Sequence, residues 1–165
     1  MSTSGSSEDS GSDFGQGDSG SLTYPLSAGA IRKGGHMMIK ENPCKIVSVT
    51  TSKTGKHGHA KAAITGLCIF TNKKCEDSVP TSHNVDVPNV TKREYVLINI
   101  DDEDFLTLQD EETNEMREDI KLSDHKHWIK VNEKIREDFE NGEELVVTVI
   151  KAMGKECVIS SRKGN

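Results

Sequence analysis

From Tyr24 to Val90 the apolar positions come in short runs broken by Gly, Pro and Asn, never in the three-and-four spacing of a helix. Met37 to Ile39, Cys44 to Thr51 and Ala60 to Phe70 read as strands, with Asn42-Pro43 and the glycine-bearing segments as turns. Strands this short and closely spaced predict a small β-barrel or rolled sheet. About 65 residues is near the lower limit for a self-sufficient core. The second half reads as strands Glu94–Ile100, Phe105–Gln109 and Met116–Leu122, a helix over 124–140, then strands Leu145–Lys151 and Glu156–Ser161. Within the helical stretch Trp128, Val131, Ile135 and Phe139 form one apolar stripe on a charged segment, with Ser123 as N-cap and Asn141-Gly142 as the stop. Three strands, a helix and two strands is the order of an OB-fold, a five-stranded barrel whose surface holds oligonucleotides or other chains. The fold class is therefore mainly β.

Before the first strand the pattern vanishes. Residues 1–22 contain eight Ser, five Gly and four acids, too little apolar surface to offset the entropy of ordering, and are expected to form a disordered acidic tail. Ser6 and Ser10 each have an acid three residues on, the spacing acidophilic kinases prefer, and are candidate phosphorylation sites. The organisation expected is tail 1–22, first domain 23–89 and second domain 90–165.

Composition narrows the class. In 165 residues, 33% are hydrophobic and 4% aromatic, so the core must come from aliphatic side chains. No apolar run approaches the ~18 residues of a membrane span. The first residues lack the basic and apolar regions of a signal peptide, and Ser2 stands where N-myristoylation needs glycine, which predicts a cytoplasmic chain with no membrane partner. Cys44, Cys68, Cys75 and Cys157 have neither zinc-site spacing nor the density of a disulfide scaffold, and fit reduced thiols.

The net charge of −6 argues against a nucleic-acid partner only as an average. Residues 1–22 carry −4, residues 23–89 carry +5 from nine cations and four acids, and residues 90–165 carry −7 from twelve cations and nineteen acids. The basic contrast centres on residues 52–61, Ser-Lys-Thr-Gly-Lys-His-Gly-His-Ala-Lys, which hold three Lys, two His and two Gly without an acid. Gly55 and Gly58 bracket Lys56-His57 and free the backbone for a tight tip, so Lys56 is expected at an apex with no carboxylate to neutralise it. Such a cation suits RNA, although a solvated basic turn has the same composition. Gly55-Lys56 is followed by His57 and lacks the spaced glycine of a phosphate-binding P-loop. His57 and His59 have no third metal ligand nearby, and His83 has no activated cysteine beside it in sequence. With no triad, catalytic carboxylate pair or metal motif, an enzyme ranks below a binding protein. An RNA-binding adaptor that uses the hairpin unmodified is the rival reading.

Residues 52–61 resemble, nearly letter for letter, the hypusination loop of the eukaryotic translation initiation factor 5A family. Further similarity runs through Asn42-Pro43-Cys44-Lys45-Ile46-Val47, Ile69-Phe70-Thr71, Lys73-Lys74, His83-Asn84-Val85-Asp86-Val87-Pro88 and Arg117-Glu118-Asp119, and covers about residues 23–153. The resemblance implies an SH3-like β-barrel followed by an OB-fold, in a non-enzymatic, cytoplasmic factor. It implies that Lys56 is converted to hypusine by deoxyhypusine synthase and deoxyhypusine hydroxylase, with spermidine as aminobutyl donor and no other cofactor. By the same resemblance the factor binds the large ribosomal subunit beside peptidyl-tRNA, its modified lysine reaching the acceptor end to assist stalled peptide-bond formation, as on proline runs, and termination. Lys53, Thr54, Gly55, His57, Gly58, His59 and Lys61 would then contact RNA around Lys56. Departures fall elsewhere: the Trp128-bearing helix, Glu156–Asn165, Cys75 in place of a common aromatic, and Thr81-Ser82 in reversed order. The acidic second domain can grip nucleic acid only through local lysine clusters.

Overall fold

The computed structural model describes residues 21–53 and 58–164. Ser6 and Ser10, and all but the end of the predicted acidic tail, lie outside them. The first domain contains β1 (Thr23–Ser27), β2 (His36–Ile39), β3 (Asn42–Lys53), β4 (Ala60–Cys68), β5 (Lys74–Pro80) and β6 (Asn84–Pro88). Strands β2-β3-β4-β5 form one antiparallel sheet, and β1 and β6 pair as a ribbon that packs against β2 and curls the unit closed. Its core is Ile31, Met37, Ile39, Cys44, Ile46, Ala62, Ile64, Cys68, Cys75 and Val87.

Alternation along β4 puts Ala62, Ile64 and Cys68 inside and makes this the central strand. Gly66 also faces inward, and a Cβ there would stand 2.8 Å from the Cys44 Cβ and 3.2 Å from Ile39 Cδ1, so the absence of a side chain lets the neighbouring strand close in. Opposite it, the ladder slips between Ile46 and Ser48. This bulge exposes Val47 and bends β3 away from the body.

Several expectations for this half are corrected. Asn42-Pro43 opens β3 and is not a turn; the turn is Lys40-Glu41, both at positive φ (50° and 69°) without the usual glycine. The strand expected to reach Phe70 stops at Cys68, where Ile69 to Lys73 turn the chain. Strands β1, β5 and β6 were not expected, because β1 and β6 are only five residues long with a proline in each, β5 is mostly polar, and all three find their partners through tertiary pairing.

The second domain contains β7 (Thr91–Ile100), β8 (Phe105–Asp110), β9 (Met116–Lys121), α1 (Ile129–Glu140), β10 (Leu145–Ala152) and β11 (Lys155–Lys163). The antiparallel order β9-β8-β7-β10-β11, with one helix between β9 and β10, is the OB-fold arrangement. Leu97, Leu106, Leu108, Ile120, Ile135, Leu145, Val147, Val149 and Val158 fill the interior.

The helix is shorter than the stripe predicted. Residues Lys126–Trp128 form a single 3₁₀ turn and the α-helix begins at Ile129. Ser123 does not cap it; its hydroxyl accepts from the His125 N–H at 3.1 Å, and its carbonyl accepts from Asn132 Nδ2 at 2.6 Å. Ile135, Val131 and Phe139 face the OB core as the spacing requires, but Trp128 turns into a separate cluster with Ile150 and Cys157. Ile69, Phe70 and Val90 join that cluster from the other side, so it is the seam between the domains.

All four cysteines are free and buried. Burial, then the neighbouring Cys75, holds the Cys44 thiol well above its usual range, and burial pushes Cys157 up to about 11. No described helix is long and apolar enough to cross a membrane.

Candidate functional site

The longest arms of the first domain, β3 and β4, run together until Lys53 faces Ala60. Beyond Val49 every residue of β3 through Lys53 is exposed, so the outer end of the hairpin stands clear of the core. Thr54, Gly55, Lys56 and His57 lie outside the described residues; Lys53 and Ala60 flank the segment that contains them.

The root of this hairpin is braced. Thr81 N–H donates to the Ala60 carbonyl at 3.0 Å, and the Thr81 carbonyl accepts from Gly29 N–H at 3.0 Å and the Ser27 hydroxyl at 2.7 Å. Ala28 N–H reaches the His83 carbonyl at 2.8 Å. A Cβ on Gly29 would lie 3.2 Å from the Thr81 carbonyl oxygen, so glycine permits this approach. Two turns from distant parts of the chain thus hold Ala60 in place. The sequence offered no local signal for this, since Ser27, Ala28 and Gly29 meet Thr81 and His83 more than fifty positions away.

Lys53 pairs across the ladder with Ala60 and Lys61 with Ser52, so the period of two sends the two lysines to opposite faces of the hairpin. Both are exposed, as is His59, whereas Gly58 is half-buried. Among the described residues neither lysine has a carboxylate partner. The acids on the adjoining strand, Asp77 and Glu76, sit opposite Ile64 and Thr65, well back from the hairpin end. The described part of the site therefore presents cations on two faces with nothing to cancel them, as a polyanion partner requires.

Other candidates do not assemble. His83 is exposed in a turn while the cysteines are buried, so no Cys-His pair exists among the described residues. No group of three or more His, Cys, Asp or Glu is gathered among the described residues in a way that would hold a metal ion.

A curled β-sheet that extends a basic hairpin, followed by an OB-fold, makes a two-domain β-protein with an exposed cationic arm suited to a polyanion. The family model described as translation initiation factor 5A-like, N-terminal, matches residues 21–83, and that described as eukaryotic elongation factor 5A hypusine, DNA-binding OB fold, matches residues 89–162. Eukaryotic translation initiation factor 5A of Drosophila melanogaster is 51% identical over 144 residues, 87% of each chain, and that of Solanum lycopersicum, numbered 5A-1, is 47% identical over 138 residues, 84% of each. The solved structure of a translation initiation factor eif-5a family protein from Naegleria fowleri superposes with a TM-score of 0.81 at 50% identity, covering 86% of this chain and 99% of that one. That of eukaryotic translation initiation factor 5A from Methanococcus jannaschii gives 0.64 at 28% identity, covering 86% and 96%. The chain belongs to the eukaryotic translation initiation factor 5A family, and is a translation factor.

Proposed function

We propose that this factor works through a hypusinated Lys56. It binds the large ribosomal subunit beside peptidyl-tRNA and supports peptide-bond formation at stalled sites, such as proline runs, and termination. Deoxyhypusine synthase transfers the aminobutyl group of spermidine to the lysine amine and deoxyhypusine hydroxylase adds the hydroxyl. The product keeps the lysine charge and adds a second amine farther out. The factor is cytoplasmic and not itself an enzyme: the ribosome performs the transfer, and the cationic tip holds the acceptor end in a reactive geometry, an effect of positioning.

The observation that supports this reading is the braced, acid-free hairpin root flanking residues 54–59. A rigid root lets a long cation be aimed instead of merely offered, and Lys53, His59 and Lys61 flank it for phosphate or sugar contact without sequence readout. By the same reading Thr54, Gly55, His57 and Gly58 contact RNA around Lys56.

Lys56→Arg keeps a charge but cannot accept the aminobutyl group. In a reconstituted translation assay on proline-run messages, the wild-type factor with its modifying enzymes should relieve stalling and Lys56→Arg should not. Full activity of the arginine variant, or native-source protein whose intact mass shows an unmodified lysine, overturns the proposal in favour of an adaptor with an unmodified basic hairpin.

A further inference from the structure

At the other end of β4 from the hairpin tip, the turn after Cys68 meets the 3₁₀ turn of the second domain. Trp128 is buried in the seam, and its indole Nε1–H donates to the Phe70 carbonyl at 2.6 Å, a contact between residues 58 apart in sequence. This latch fixes Thr71–Lys73 of one domain beside His125–His127 of the other. Between them lies a cleft of about 560 Å³ lined by Thr71, Asn72, Lys73, His125, Lys126 and His127.

The lining is unusual for this protein. It contains two lysines, two histidines and no carboxylate, although it borders a domain of charge −7. Asn72, Lys73, Lys126 and His127 are exposed, and neither lysine has an ion-pair partner among the described residues. His125 Nδ1 accepts the His127 N–H at 3.1 Å, so the neutral ring carries its proton on Nε2 and is a donor there. The His127 ring stands edge-on to Trp128 at 4.5 Å between centroids, which ties it to the latch. The cleft therefore offers donors and cations from both domains, prepositioned by one buried side chain.

We propose that this cleft is a second binding site, for the phosphodiester backbone of RNA, gripped by Lys73 from the first domain and by Lys126 and His125 from the second. Ammonium groups and N–H donors match non-bridging phosphate oxygens and read no sequence. RNA is favoured over an acidic polypeptide because the chain is a translation factor and because a regularly charged backbone can serve two lysines held by separate domains. The cleft and the hairpin root are separated by β4, nine residues or roughly 30 Å at about 3.3 Å per residue, so one RNA-bearing surface can be held at two distant points. The site requires no modification of Lys56, and its test is independent of that reading.

The test uses the full, unmodified chain and a fluorescent RNA hairpin, with affinity measured by anisotropy across a range of salt. Lys73→Ala/Lys126→Ala should bind about ten-fold more weakly and lower the slope of log affinity against log salt by about two. Trp128→Phe, which keeps an aromatic ring in the seam but loses the donor to Phe70, should weaken binding several-fold without deleting a charge. Unchanged affinity and slope in the double lysine variant overturns the proposal, whatever a Lys53→Ala/Lys61→Ala variant does at the hairpin. An equal loss in a Lys33→Ala/Lys155→Ala control also overturns it, since the effect would then be diffuse charge. Displacement of the RNA by polyglutamate at equal charge concentration overturns the assignment to RNA.

Discussion

Arg117 on β9 donates to both carboxylate oxygens of Glu156 on β11, at 3.0 and 2.8 Å, although these are the two edge strands of the second sheet. The same guanidinium reaches Asp119 at 2.7 and 2.8 Å and the Tyr95 hydroxyl at 3.1 Å, and lies 5.6 Å from the centre of the Tyr95 ring. The barrel is thus drawn together at this point by a forked ion pair. One arginine serves two acids.

Replacing Arg117 with Ala should destabilise the second domain by about 2 kcal/mol, because Glu156 is left half-buried without its partner. Glu156→Gln should cost less, as Asp119 still engages the arginine. Chemical denaturation of both single variants and the double variant should give a double-variant loss smaller than the sum. Additive losses would show that the two side chains act independently.

Gly66→Ala tests the close approach of β3 to β4. The added methyl meets Cys44 Cβ at 2.8 Å and the Lys45 carbonyl oxygen at 3.2 Å, so strand spacing must give. A loss of about 1–3 kcal/mol is expected from overpacking. Cys44→Ala/Gly66→Ala still retains the Cβ contact, and should recover little of the loss in thermal or urea unfolding.

The acid limb of stability has a named contributor. The Arg93 guanidinium beside Asp110 holds its carboxyl down to about 2 from an ordinary 3.8, aided by the Glu112 and Thr113 N–H groups. Between those values the unfolded chain binds more protons than the folded one, so stability rises with pH. The contribution is full above about pH 4 and disappears as pH falls through about 2. Asp110→Asn should flatten the pH dependence of the urea midpoint across this window while removing stability at neutral pH.

What the sequence made legible follows from what is local. The alternation of β4 and the acid-free 52–61 segment survive any packing, because their period and charge are properties of neighbouring residues. The order of elements in the second domain was equally readable, since every strand but β9 has its own apolar run. Strand β5 was not, for Cys75 is its one fully buried residue. The positive-φ turn at Lys40-Glu41 carries no glycine to announce it. Trp128 fitted the helical stripe by spacing alone, and only the fold shows that it faces Phe70 in another domain.

The pairing of β1 with β6 sets Thr23 opposite Pro88, three residues before the second domain's first strand begins at Thr91. Loop closure over this span must await almost the whole first domain, so its opening strand leaves the synthesising ribosome long before its partner exists. Until then Leu26 and Val85 have no shared core to enter. The first barrel can therefore shut only as the second starts to emerge, and the vulnerable interval in this factor's own synthesis is the one that ends at Pro88.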